Sequence, residues 1–184
     1  MVKAVLFLAA GFEEIEAVSI VDTLRRGGVE VTIAGLQEGV IEGAHGVKVI
    51  PDRAIDKIII EEFDAVILPG GYPGYVNLGQ DRRVLDLVTK AFETGIIVAA
   101  ICGAPSVLAK LGILKGKKAT IYPGLETELT GGGAKPVNER VVVDGKVITS
   151  QGPGTAVEFG VKLVALLVGE KRARELKDEL VVNF

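Results

Sequence analysis

A chain of 184 residues, 48% hydrophobic and 24% charged, is long enough to bury a sizeable core and reads as one domain spanning residues 1–184. Its net charge of −3, pI near 5.3 and scattered basic residues give no electrostatic footprint for nucleic acid. No apolar run approaches bilayer length, the N-terminal run leads into glutamates instead of a cleavage site, and one cysteine makes no internal disulfide, so a cytoplasmic protein without membrane contact is expected.

Residues 2–9 form a continuous aliphatic run of strand length. A helix is predicted over 13–26, apolar at Ile15, Val18, Val21 and Leu24 and ended by Gly27-Gly28. Residues 29–34 give a second strand. Between Gln37 and Ile50, Gly39, Gly43 and Gly46 punctuate short apolar pieces, which predicts a small appended hairpin. A buried strand follows at 65–68. A helix over 81–93 carries Val84, Leu87, Val88 and Ala91 on one face and closes at Gly95. Strand 96–101 runs straight into Cys102 and a helix over 105–111. Beyond these come a short strand near 118–121, a glycine loop at 131–133, strands 140–143 and 146–149 turned by Asp144-Gly145, and a helix over 156–168. Strands alternating with helices predict an α/β doubly wound sandwich, a mostly parallel sheet with helices on both faces.

In such a sheet the ligand site lies outside the carboxyl ends of the strands, where strand order reverses. Three loops should meet there: Ala10 to Glu16, Pro69 to Gly74, and Cys102-Gly103-Ala104. A thiol at a strand-to-helix elbow faces the unpaired N–H groups of the helix, which favour a thiolate and predict a lowered pKa. Free cysteine also serves as a small core hydrophobe, so position alone leaves both roles open. The same holds for Gly70 and Gly71, which fit an oxyanion site or only a tight turn. Glu13, Glu14 and Glu16 could simply complement the helix dipole; Glu13 and Glu16 share a face and Glu14 points elsewhere. A dinucleotide fingerprint and a Walker loop are both missing, and His45 with one cysteine makes no metal cluster, so neither cofactor nor metal is expected.

Four motifs in order, Ala10-Gly11-Phe12-Glu13-Glu14-Ile15-Glu16, Leu68-Pro69-Gly70-Gly71, Ala99-Ala100-Ile101-Cys102-Gly103-Ala104-Pro105 and Thr149 to Thr155, resemble the ThiJ/PfpI superfamily, within it the Parkinson-disease protein deglycase (DJ-one) branch. The resemblance implies a flavodoxin-like fold, a homodimer with the first helix at the interface, and Cys102 as a nucleophile on a strained elbow. It also implies Glu16 as a protonated acid hydrogen-bonded to that cysteine. Peptidase-like relatives follow the cysteine with histidine, where this chain has Gly103, which argues against an intracellular peptidase. Animal members of the deglycase branch carry histidine where this chain has Tyr122, a poor base near neutrality. His45 occupies a position where relatives place an arginine, which makes it a pocket candidate alongside Gly70 and Tyr122.

The expected activity is a glyoxalase or deglycase acting on small reactive dicarbonyls such as methylglyoxal, with Cys102 attacking the aldehyde, Gly71 and Gly103 holding the oxyanion, and Glu16 moving protons. An oxidative-stress sensor or chaperone switched by oxidation of Cys102 is the alternative, and a dimer with an inert cysteine the third reading.

Overall fold

The aliphatic run that opens the chain forms strand β1 (Lys3–Leu8), and its period-2 alternation feeds two cores: Val5 and Phe7 on one face, Ala4, Leu6 and Leu8 on the other. The computed structural model describes all 184 residues. Helix α1 (Glu14–Arg26), strand β2 (Glu30–Gly35), the hairpin β3 (Ile41–Glu42) and β4 (Lys48–Val49), and strand β5 (Arg53–Ala54) complete the first third. Strand β6 (Ala65–Leu68), helices α2 (Gly74–Gln80) and α3 (Arg82–Glu93), strand β7 (Ile97–Ile101) and helix α4 (Pro105–Lys110) follow. The remainder is β8 (Lys118–Ala119), α5 (Glu126–Gly131), β9 (Lys135–Pro136), β10 (Val141–Asp144), β11 (Val147–Ser150), α6 (Ala156–Leu167) and α7 (Glu170–Glu179).

Seven strands form one sheet in the order β10-β11-β7-β6-β1-β2-β5. All neighbours are parallel except β10 and β11, joined by the Asp144-Gly145 turn. This is the predicted flavodoxin-like α/β sandwich. Helices α1, α6 and α7 cover one face through Ile20, Leu24, Phe159, Leu163 and Leu176; α2, α3 and α4 cover the other through Leu78, Val84, Val88 and Leu108. Burying each such side chain contributes about 1.5–3 kcal/mol. Helix α6 lies close on α1 because Gly160 presents no side chain to Thr23, where a Cβ would stand 2.8 Å from the threonine Cβ. That packing fixes the helix whose first turn carries Glu16.

The chain leaves β1 for β2 on one side and returns to place β6 on the other, so the order reverses between β1 and β6. Register brings the carboxyl ends together: Leu6 pairs with Ile67, Leu68 with Ala100, Ser150 with Ile101. The strand predicted at 118–121 is shorter and pairs with β9 in a separate two-stranded sheet. Helices α2, α5 and α7 have no counterpart among the predicted elements. No helix is long and apolar enough to cross a membrane.

Candidate active site

Strand β7 ends at Ile101, and Cys102 turns the chain with φ of 64°, a left-handed conformation costing about 1–3 kcal/mol for a residue with a side chain. Surrounding hydrogen bonds enforce it. Its N–H donates to the Ser150 carbonyl at 2.9 Å, its own carbonyl accepts from the Tyr122 N–H at 2.8 Å, and the Ala104 N–H donates to Ile101. Pro105 opens α4, and the buried Ser106 hydroxyl donates to the Gly103 carbonyl at 2.7 Å. The thiol is therefore aimed by both flanks of the elbow.

Against it lies the loop after β6. Gly70 has no room for a side chain: a Cβ there would stand 2.5 Å from Cys102 Cβ, 3.0 Å from its Sγ and 2.8 Å from Glu16 Oε2. Gly71 adopts φ of 89°, and a Cβ would meet the Glu13 nitrogen at 2.2 Å. Both glycines are close-approach positions, beyond the needs of a tight turn. The N–H groups of Gly71 and Gly103 donate to no backbone carbonyl and instead act on the thiol, each favouring its charged form.

Glu16 is fully buried, accepts from the Gly70 N–H at 2.7 Å through Oε2, and leaves Oε1 without a hydrogen-bond partner. Burial pushes its carboxyl up to about 7, against the opposing effects of the Gly70 N–H and Cys102. The expected lowering of the cysteine is not met for the thiol considered alone. Burial first, and then the charge of Glu16, push it up to about 12. Two acids that share a site release their protons as a pair. The carboxyl gives up its proton before the thiol does, because burial and the neighbouring charge weigh more heavily on sulfur. The remaining proton stays on sulfur, and the two glycine N–H groups work toward the thiolate against burial and the Glu16 charge.

The other first-turn glutamates have separate work. Glu13 caps α1, its Oε2 accepting from the Glu16 N–H at 2.7 Å. Glu14 clamps the hairpin: its Oε1 accepts from the His45 and Val47 N–H groups at 2.6 and 3.4 Å, and its Oε2 faces His45 Nδ1 at 2.9 Å. His45 is thus turned to Glu14 and is not among the groups acting on Cys102, because the hairpin docks its backbone on the loop after β1 through Gly11 to Glu42 and Ala44 to Phe12. Ligand atoms of Glu13, Glu14 and His45 do lie within 4.8 Å of one another, a grouping the sequence did not reveal, but the cap and the clamp already occupy these carboxylates. Tyr122 stands at the rim with its ring against Gly152. Tyr75, unnoticed in the sequence, packs its ring on Gly103.

A family model described as the DJ-1/PfpI family matches residues 2–166. The chain belongs to the DJ-1/PfpI family. It is 39% identical over 183 residues to protein dj-1beta of Drosophila melanogaster, covering 99% of this chain and 98% of that one. The crystal structure of that Drosophila protein superposes with a TM-score of 0.95, covering 100% of this chain and 99% of the other. A protein named deglycase from Pyrococcus horikoshii is 39% identical over 165 residues, 89% of this chain and 98% of its own. A glutathione-independent glyoxalase of Caenorhabditis elegans is 36% identical over 164 residues, 89% of this chain and 87% of its own. All four motifs that carried the DJ-1/PfpI resemblance converge on the elbow, the fourth by supplying the Ser150 carbonyl that holds the Cys102 N–H, braced by a 2.6 Å bond between the Ser150 and Thr155 hydroxyls.

Proposed function

We propose that this protein is a cysteine-dependent, cofactor-independent enzyme of glyoxalase or deglycase type, converting small α-oxoaldehydes such as methylglyoxal, or their early adducts, to 2-hydroxy acids. One observation carries the reading: a buried acid with an unpartnered oxygen stands beside a thiol on a left-handed elbow, with the Gly71 and Gly103 N–H groups acting on that thiol. The names of the Pyrococcus and Caenorhabditis relatives support the same chemistry.

Cys102 gives its proton to Glu16 as Sγ adds to the aldehyde carbon. The new oxyanion, stabilised by the Gly71 and Gly103 N–H groups, takes that proton to complete the hemithioacetal and leave Glu16 as a base. Glu16 removes the proton from that carbon and delivers it to the neighbouring carbonyl carbon through an enediol, leaving a thioester of the 2-hydroxy acid. Water then breaks the carbon–sulfur bond and restores the thiol. One carbon is oxidised and its neighbour reduced, so the sum is oxoaldehyde plus water and no outside oxidant is consumed. An acid held near 7 can both take and give a proton at neutral pH.

The enzyme is further proposed to act as a cytoplasmic homodimer across α1, where Ile15 and Val18 are exposed, as are Val47 and Ile50 of the hairpin that docks on its first turn. Methylglyoxal turnover by the wild type, Cys102→Ala and Glu16→Gln tests the chemistry. Both variants should lose at least about a hundredfold; equal rates in all three would overturn the reading.

A further inference from the structure

The chain holds three tyrosines, and two of them, Tyr75 and Tyr122, contact the elbow directly. Tyr72 and Tyr75 follow β6, their ring centroids 6.5 Å apart and tilted by 59°. Tyr122 donates its backbone N–H to the Cys102 carbonyl. Tyr75 places its ring on the elbow itself. A Cβ on Gly103 would stand 2.6, 2.7 and 2.8 Å from its Cε1, Cδ1 and Cζ atoms, so the ring lies directly on the residue that follows the thiol and supplies an oxyanion N–H. Burial and then the Cys102 charge raise the phenol pKa, in keeping with that closeness.

The ring is also held in place. Tyr75 N–H donates to the Gly71 carbonyl at 2.9 Å, and its side chain packs against the core beneath α2. The preceding Gly74 is seated on the loop after β1, where a Cβ would meet the Gly11 carbonyl oxygen at 2.6 Å. A preorganised ring loses little freedom when a substrate stacks on it. Yet no step of the proposed reaction uses it.

We infer that Tyr75 is a specificity-determining residue, an aromatic wall beside Cys102 that favours α-oxoaldehydes bearing an aryl group over methylglyoxal. The inference rests on the glyoxalase reading for its substrate class. An aryl substituent can stack on or against the ring, a contact that a methyl group is too small to make, and such contacts support discrimination of about tenfold. The chemistry balances as before: phenylglyoxal plus water gives mandelate.

Two ratios test it in the wild type, Tyr75→Phe, Tyr75→Leu and Tyr75→Ala. One is kcat/KM for phenylglyoxal over methylglyoxal. The other is the Cys102 alkylation rate for phenacyl bromide over iodoacetamide, which needs no turnover. Both ratios should fall about tenfold in the Leu and Ala variants and stay within about twofold in Tyr75→Phe. Should Tyr75→Ala fail to fold, the Leu and Phe pair decides. An unchanged alkylation ratio in Tyr75→Leu overturns the aromatic wall even if methylglyoxal is turned over. A ratio that responds as expected in a protein that turns over neither aldehyde leaves the wall standing and removes the lyase reading.

Discussion

Glu14 and Glu16 stand two residues apart in the first turn of one helix, both buried, and their carboxyl groups are driven in opposite directions. Glu14 is 8% exposed and Glu16 0%. Each faces a glycine that has no room for a side chain: a Cβ on Gly43 would meet Glu14 Oε1 at 2.4 Å, and one on Gly70 would meet Glu16 Oε2 at 2.8 Å. At Glu14 burial works upward, but the His45 ring, the His45 and Val47 N–H groups and its own N–H outweigh it, and the pKa is lowered. Glu16 has one N–H donor and an orphaned oxygen, and burial wins. Glu16 lies much deeper and has fewer donors, and the two together decide which carboxylate keeps a proton. One glutamate is thereby an ionised clamp and the other holds its proton to higher pH.

Substituting the two glycines should separate these roles most sharply. Gly70→Ala drives a methyl group into Cys102 Cβ and Glu16 Oε2, and both turnover and alkylation of Cys102 should fall by about two to three orders of magnitude. Gly43→Ala meets only the Glu14 side chain, along Oε1, Cδ and Cγ, so the hairpin is displaced and turnover should change less than about threefold. Wild-type alkylation rates in Gly70→Ala would mean that the loop after β6 does not shape the thiol's surroundings.

A smaller contrast lies in stability against pH. Glu16 has a folded pKa of about 7 above its ordinary 4.5, so its contribution is fully present below 4.5 and is lost as pH rises through 7. At about 1.4 kcal/mol per pH unit this amounts to about 3 kcal/mol. Urea midpoints at a series of pH values should show that loss in the wild type relative to Glu16→Gln. Parallel curves would contradict the raised carboxyl. Glu14 has the opposite sign: its contribution is present above 4.5 and lost as pH falls through its lowered value. Glu14→Gln should cost about 2 kcal/mol at neutral pH, the difference shrinking in acid, and should speed amide exchange at His45 and Val47. If Glu14→Gln instead costs nothing, the three donors do not clamp the hairpin.

Much of this arrangement was legible in the chain itself. Continuous aliphatic runs at β1, β6 and β7 announce strands buried on both faces, and the rule for the carboxyl ends of a parallel sheet brings Glu16, Gly70 and Cys102 to one edge. Helices α2 and α5 escaped because Gly74, Gly79, Asn77 and Gly131 are poor helix formers, held in place by tertiary packing. Helix α7 escaped because its residues are charged almost throughout and only Ala173 and Leu176 are buried. At the site, the dipole argument for Cys102 missed the cost of burying a thiolate, and nothing in the spacing of Glu14 and His45 announces a contact across 31 residues. Tyr75 left a faint trace, an aromatic residue in a glycine-rich loop, but only coordinates show which glycine it covers.

The weakest link in the clamp should be the His45 ring. Its pKa is raised, first by the hydrogen bond to Glu14 and then by the Glu14 charge, so its stabilising effect is present below 6.5 and lost as pH rises through the raised value. The side chain is nevertheless 74% exposed, and solvent and salt screen an exposed pair. The backbone N–H groups of His45 and Val47 remain after His45→Gln, so amide exchange across the hairpin should quicken by less than about threefold, and only in acid. A tenfold effect at Val47, persisting in high salt, would assign the clamp to the ring instead of the backbone. The region around Glu14 would then be held by a titrating side chain, in contrast to Glu16, whose carboxyl is set by burial against one backbone donor.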